Sequence, residues 1–422
     1  MTGAAPMTAN ANLATTHADW ADGLPVDRGV SGQPRSIRLL IALAARIQVG
    51  RIAIVAPDGR RYVAVGPTPG RSAVLIVRRK RLVRRLLVGG STGFAEAYVD
   101  GDWDSPDPAA LMTLGLENEK ALGTTLDGGF WARTAARIAH LFRPNSRLGS
   151  RRNIRQHYDL GNDFYARWLD PTMVYSSAIF AHPAQDLEAA QIEKFRRLAT
   201  LMDLRPGMRV LEIGCGWGAF ARHLAREHNC HVTAITVSPA QHDHAAAASQ
   251  AEGLGDRVDT RLVDYRDVAG RFDRIASIEM IEAVGERYWP VFFAKLQDRL
   301  RPGGIAALQA ICIEHARFDA YRQTADFIQK QVFPGGMLPT ISALRAEVDR
   351  AGLAWSGETA FGAHYARTLA CWKERFSAAW PEIERAGFDD RFRRRWETYL
   401  DYCRAGFETG AIDVHHVRLV RP

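Results

Sequence analysis

VLEIGCGWG, Val210 to Gly218, is the stretch whose reading decides the fold. Val210, Leu211 and Ile213 are the apolar residues of a buried strand, and Gly214, Gly216 and Gly218 follow it at alternate positions, where no Cβ blocks the approach of backbone to a ligand. Ala219 to Glu227 then reads as a helix. A strand, a glycine turn and a helix N-terminus in this order form a crevice for a nucleotide-type ligand at the carboxyl edge of a parallel sheet. On this evidence the ligand is a dinucleotide or S-adenosylmethionine.

Two details separate those ligands. A nicotinamide site shows G-x-G-x-x-G and an acid about 20 residues on, at the end of the next strand, to hold the ribose hydroxyls. Here the glycines run G-x-G-x-G, and the next strand, His231 to Val237, closes on Thr236, Val237 and Ser238. Glu212, two residues before the first glycine, suits a methyltransferase instead, where an acid at this strand end orients the cationic half of the cofactor. Asp264 and Tyr265 close a third strand, at the place where such enzymes hold the adenine, and Phe272 to Glu279 reads as a fourth. Strands alternating with helices predict an α/β fold, a doubly wound, mostly parallel sheet covered on both faces.

At 422 residues the chain exceeds one ordinary domain, and its 47% hydrophobic content is ample for two cores. No apolar run approaches a membrane span, and the N-terminus lacks the basic start and apolar stretch of a leader, so a cytoplasmic protein is expected. Five widely spaced cysteines without a C-x-x-C pair argue against disulfides and structural zinc. The net charge of +8 gathers in three basic runs, Arg78 to Arg85, Arg147 to Arg155 and Arg391 to Trp396, which suggest an anionic partner such as a phospholipid surface. Nucleic acid is the weaker candidate. The chain has no N-P-P-Y or D-P-P-Y motif for amino methylation and no P-C pair for thiolate attack on a pyrimidine.

Residues 1–33 have the composition of a disordered tail. Ser36 to Ile47 carries apolar residues at helical spacing, and packing on its own domain is the favoured use of that stripe. Strand-like segments follow, with turns expected at Asp58-Gly59 and at Pro67 to Gly70. We therefore expect a smaller N-terminal α+β domain over 34–120, a linker over 121–151 and the cofactor domain over 152–422.

Just ahead of the glycine loop lies HYDLGNDF, His157 to Phe164, and then LDPTMVYS, Leu169 to Ser176. With EMIEAVG (Glu279 to Gly285), FPGGMLP (Phe333 to Pro339) and FGAHYARTLACW (Phe361 to Trp372), these blocks resemble the cyclopropane-fatty-acyl-phospholipid synthases and related fatty-acid olefin methyltransferases. The resemblance runs over residues 36 to 422, and the N-terminal unit is similar to that family's small lipid-carrier-like domain. It implies methyl transfer from S-adenosylmethionine to a cis double bond of an unsaturated phospholipid acyl chain, giving a cyclopropane. A methylene- or methyl-branched product is the alternative, and a non-catalytic lipid-binding protein is an alternative of another class. Together with the basic runs it suggests an enzyme peripheral to the inner face of an anionic membrane, and the resemblance implies a homodimer formed through the small domain.

An isolated alkene is a poor nucleophile, so such a site must be dry, apolar and tolerant of a transient carbocation, which aromatic faces stabilise. The resemblance assigns Tyr175, Ser176, Gly214, Gly216, Thr236, Gln241, Asp264 and Tyr265 to the cofactor, and His157, Tyr158 and Phe333 to the substrate side. The proton lost after methyl transfer goes, in the family, to a bound bicarbonate. Its glutamate maps onto Glu282 and its tyrosine onto Tyr365. The histidine position falls on Gln309 and the cysteine position on Ser177, a departure that puts bicarbonate in question, because an amide carries neither a proton nor a positive charge. Cys403 matches a cysteine near the family's C-terminus. Burial and packing are its favoured role, since alkylation by a sulfonium needs no covalent enzyme intermediate.

Overall fold

The structure, a computed structural model, describes residues 29–123 and 160–422. His157, Tyr158, the basic run at 147–155 and most of the expected tail and linker lie outside the described residues.

The N-terminal unit is a four-stranded sheet, β1 (Val49–Val55), β2 (Arg61–Val65), β3 (Thr68–Val77) and β4 (Trp103–Asp104), in the order β2-β1-β3-β4. β1 and β2 form a hairpin around Gly59, whose φ of 85° is the left-handed conformation that favours glycine. The turn expected at Pro67 to Gly70 is instead the start of β3, parallel to β1, with the register shifting between Val49 and Arg51. Proline is admitted at a strand's beginning and glycine at a bulge, which is how this segment enters a sheet. Helix Arg35–Ala44 lays Ile37, Leu40 and Ala44 on the unit's own core, as its stripe requires.

Most arginines of the two described basic runs are paired internally. Arg78 meets Asp104 at 2.7 Å, Arg81 meets the buried Asp102 at 2.6 Å and Arg85 meets Asp100 at 2.7 Å. From the C-terminal run, Arg391 reaches Asp100 at 3.1 Å and Arg394 reaches Asp104 at 2.8 Å. Arg394 also donates to the Tyr98 and Trp103 carbonyls, at 2.6 and 2.8 Å. These arginines fasten helix Asp390–Glu408 to the N-terminal unit, and Ala405 of that helix enters the unit's apolar core. Lys80 and Arg84 of the first run make no ion pair among the described residues.

The larger sheet has seven strands, β5 (Arg209–Ile213), β6 (His231–Thr236), β7 (Val258–Leu262), β8 (Phe272–Ile278), β9 (Leu300–Ile313), β10 (Ala354–Ala360) and β11 (Ile412–Val420). Their order is β10-β11-β9-β8-β5-β6-β7. β5 to β9 run parallel, and β11 enters antiparallel between β9 and β10. This is the doubly wound α/β sheet read from the sequence. The chain crosses from one side to the other at β5 and β8, so the crevice opens at their carboxyl ends.

Candidate active site

The cofactor crevice is built at the end of β5. Gly214, Gly216 and Gly218 have φ of 80°, 53° and 80°, and helix Ala219–His228 follows directly. They differ in what they face. A Cβ at Gly214 would come 2.8 Å from Met280, one at Gly218 would come 2.8 Å from Ala245, and one at Gly216 would meet nothing. Only Gly216 therefore looks into open space, while the other two let protein pack on the loop. Glu212 is buried, with one carboxylate oxygen lacking a hydrogen-bond partner among the described residues, and burial pushes its pKa up to about 8. An orphaned buried oxygen beside an open glycine fits a cationic ligand. Thr236 donates to the Gln241 side chain at 2.9 Å. Asp264 is held by Arg266 at 2.6 Å, and Tyr265 packs edge-on against Phe292 in the core, its hydroxyl unpartnered. Ser176 accepts from Lys194 at 2.8 Å, and burial brings this fully enclosed lysine down to about 7.

A second centre lies past β8. Glu279 has φ of 48°, a left-handed conformation that a non-glycine residue holds only at a cost of order 1 kcal/mol. That geometry turns its carboxylate into three donors: the Ser177 backbone N–H at 2.8 Å, the Gln309 amide at 2.7 Å and the Tyr365 hydroxyl at 2.7 Å. Tyr365, Gln309 and Ser177 thus gather around Glu279 and not around Glu282. Glu282 accepts instead from the Ile311 N–H, and its other oxygen is buried without a partner among the described residues. Desolvation and the neighbouring Glu279 push Glu282 up to about 8, and desolvation raises Glu279 as well. The Ser177 hydroxyl points elsewhere, to the Ala178 carbonyl. A main-chain contact explains why serine serves at a cysteine position.

Glu279 and Glu282 line a cavity of about 1160 Å³ that continues between Leu40, Ile54, Leu75 and Leu86 of the N-terminal unit. Its walls near the carboxylates are aromatic. Tyr175 shares a hydrogen bond of 2.8 Å with Tyr399, Phe333 packs edge-on against Tyr399, and Tyr365 stacks on Phe407 at 4.4 Å. Cys403 lines the same cavity, and burial pushes its thiol well above the usual range, which opposes a thiolate. Phe164 and Trp217 belong to the aromatic core and are not part of the wall. Among the described residues no helix is long and apolar enough to cross a membrane.

The model of the mycolic acid cyclopropane synthetase family matches residues 146–417. The chain belongs to this family. It is 40% identical over 382 residues to tuberculostearic acid methyltransferase UfaA1 of Mycobacterium tuberculosis, with 87% of each chain covered. To the cyclopropane-fatty-acyl-phospholipid synthase of Escherichia coli it is 36% identical over 374 residues, 86% of this chain and 94% of that one. The solved cyclopropane synthase MmaA2 of Mycobacterium tuberculosis superposes with a TM-score of 0.60 at 30% identity, over 64% of this chain and 98% of the other. Mycolic acid cyclopropane synthase CmaA1, solved with SAH and CTAB, gives 0.59 at 27% identity, over 64% and 98%.

As a member of the mycolic acid cyclopropane synthetase family the protein is an S-adenosylmethionine-dependent methyltransferase. The residue that sequence reasoning passed over in it is Glu279. Its signal was present. Glu279 is an acid at the carboxyl end of the strand beside β5, where an open α/β sheet places its chemistry.

Proposed function

We propose that this methyltransferase alkylates a cis double bond in a phospholipid acyl chain held in the cavity, and that Glu279 accepts the proton the alkylated chain must lose. The observation that carries the reading is a carboxylate fixed by three donors on the wall of a large apolar cavity. S-adenosylmethionine, for which Glu212, Gly216, Thr236 and Gln241 are the proposed holders, supplies an electrophilic methyl. Tyr175, Tyr365 and Tyr399 line the cavity as aromatic groups for the positive charge that then sits on the neighbouring chain carbon. Dry walls keep water from quenching it.

One proton leaves in either of two outcomes. Loss from the new methyl with bond formation to the cationic carbon closes a three-membered ring. A hydride shift from the methyl-bearing carbon, followed by loss from the same methyl, leaves an exocyclic methylene. The sequence alone put the ring first. Either outcome takes its proton from the same methyl, so Glu279 serves both. The branched product is favoured here by the name of the 40% identical relative, a tuberculostearic acid methyltransferase.

The test is incubation with S-adenosylmethionine and vesicles of a monounsaturated phospholipid, followed by mass spectrometry of the acyl chains. Gain of one CH₂ with the olefin retained supports branching, and gain with the olefin lost supports the ring. No gain, with cofactor binding intact, would leave a lipid-binding protein. Glu279→Gln is expected to lower turnover roughly 10²- to 10⁴-fold, the usual worth of a general base, without changing cofactor affinity.

A further inference from the structure

We propose that His416 is a positioning residue that acts through Gln309, donating from Nε2 to the amide oxygen and so turning the amide NH₂ onto Glu279. The inference rests on the reading of Glu279 as proton acceptor.

Gln309 on β9 and His416 on β11 are direct cross-strand partners in the antiparallel ladder. His416 Nε2 lies 2.9 Å from Gln309 Oε1, and both side chains are buried. The amide nitrogen faces two acceptors, the Glu279 carboxylate at 2.7 Å and the Ser177 carbonyl at 3.4 Å. Two acceptors on one side demand the NH₂ there, so the amide oxygen points at His416. That oxygen can only accept, and Nε2 therefore carries the hydrogen. The Phe361 ring, edge-on at 4.6 Å, fixes the imidazole plane. Burial and the neighbouring Lys194 and Arg197 bring its pKa down to about 3, so the ring remains neutral and adds no charge beside the carboxylate.

Without that donor the amide is free to turn over and present oxygen to Glu279, which would push the carboxylate from its place. His416→Phe removes the donor and keeps the bulk. His416→Met, a flexible filler, serves if the phenyl ring is not accommodated. His416→Gln retains an N–H at similar reach. With folding and cofactor affinity checked for each, the expected result is kcat lowered about tenfold in His416→Phe or His416→Met at nearly unchanged KM, the scale of one lost hydrogen bond. His416→Gln is expected to recover most of that loss. In a Gln309→Met background, removing His416 should cost nothing further, because the two act as one unit.

Unchanged kcat in both donor-free variants, an equal loss in His416→Gln, or independent effects in the double variant would overturn the proposal. Glu279→Gln assayed alongside separates the two readings. Full turnover in that variant removes the role of Glu279 and with it the premise here, whereas loss there with normal His416 variants removes the relay alone.

Discussion

Glu279 and Glu282 are three positions apart and differ in what surrounds them. Glu279 takes three donors, and Glu282 takes one and leaves an oxygen buried without a partner among the described residues. The difference bears on stability. The folded pKa of Glu282, about 8, stands above its ordinary 4.5, so the native state binds the extra proton, and stability falls as pH rises from about 4.5 to about 8. Glu282→Gln is expected to match the parent near pH 4.5 and to exceed it at pH 8 by at least about 1.4 kcal/mol, the worth of one pKa unit. Urea unfolding at the two pH values checks this, and a constant difference between the proteins would refute it.

At the scale of elements, the glycine loop separates packing from binding. Gly218→Ala adds a Cβ 2.8 Å from Ala245 at a φ of 80°, and is expected to cost about 2 kcal/mol or more of stability. Gly216→Ala meets no atom, so its cost is the left-handed strain alone, about 1 kcal/mol, and its larger effect is expected on cofactor affinity. Melting curves and cofactor titration on both variants test the contrast. Equal affinities for the two would mean that Gly216 does not face the ligand. The pattern of strand, glycines and helix was legible in the sequence because it is local. The strain at Glu279 was not, since a residue's φ is set by the packing around it.

At the scale of the whole molecule, the cavity joins the two units, with Leu40, Ile52, Ile54 and Leu75 sharing one space with Glu279. If an acyl chain fills that space, the N-terminal unit is part of the substrate site. Ile52→Trp, which narrows the N-terminal end, is expected to raise KM about tenfold for long acyl chains and to affect short ones less, with kcat at saturation nearly unchanged. Steady-state kinetics over a series of chain lengths decides it, and an effect independent of length would place the chain elsewhere.

The sequence by itself determined the parallel sheet, the glycine crevice and the methyltransferase chemistry. Each is written in short-range periodicity or in a contiguous motif. Only the tertiary structure decided that Glu279 and not Glu282 receives Ser177, Gln309 and Tyr365. It also decided that Gln309 is backed by His416 from 107 positions away, and that the arginines of two distant runs answer Asp100, Asp102 and Asp104. Which carboxylate meets which donor depends on strand register and helix docking, and these are fixed by the burial of apolar surface far from the residues concerned.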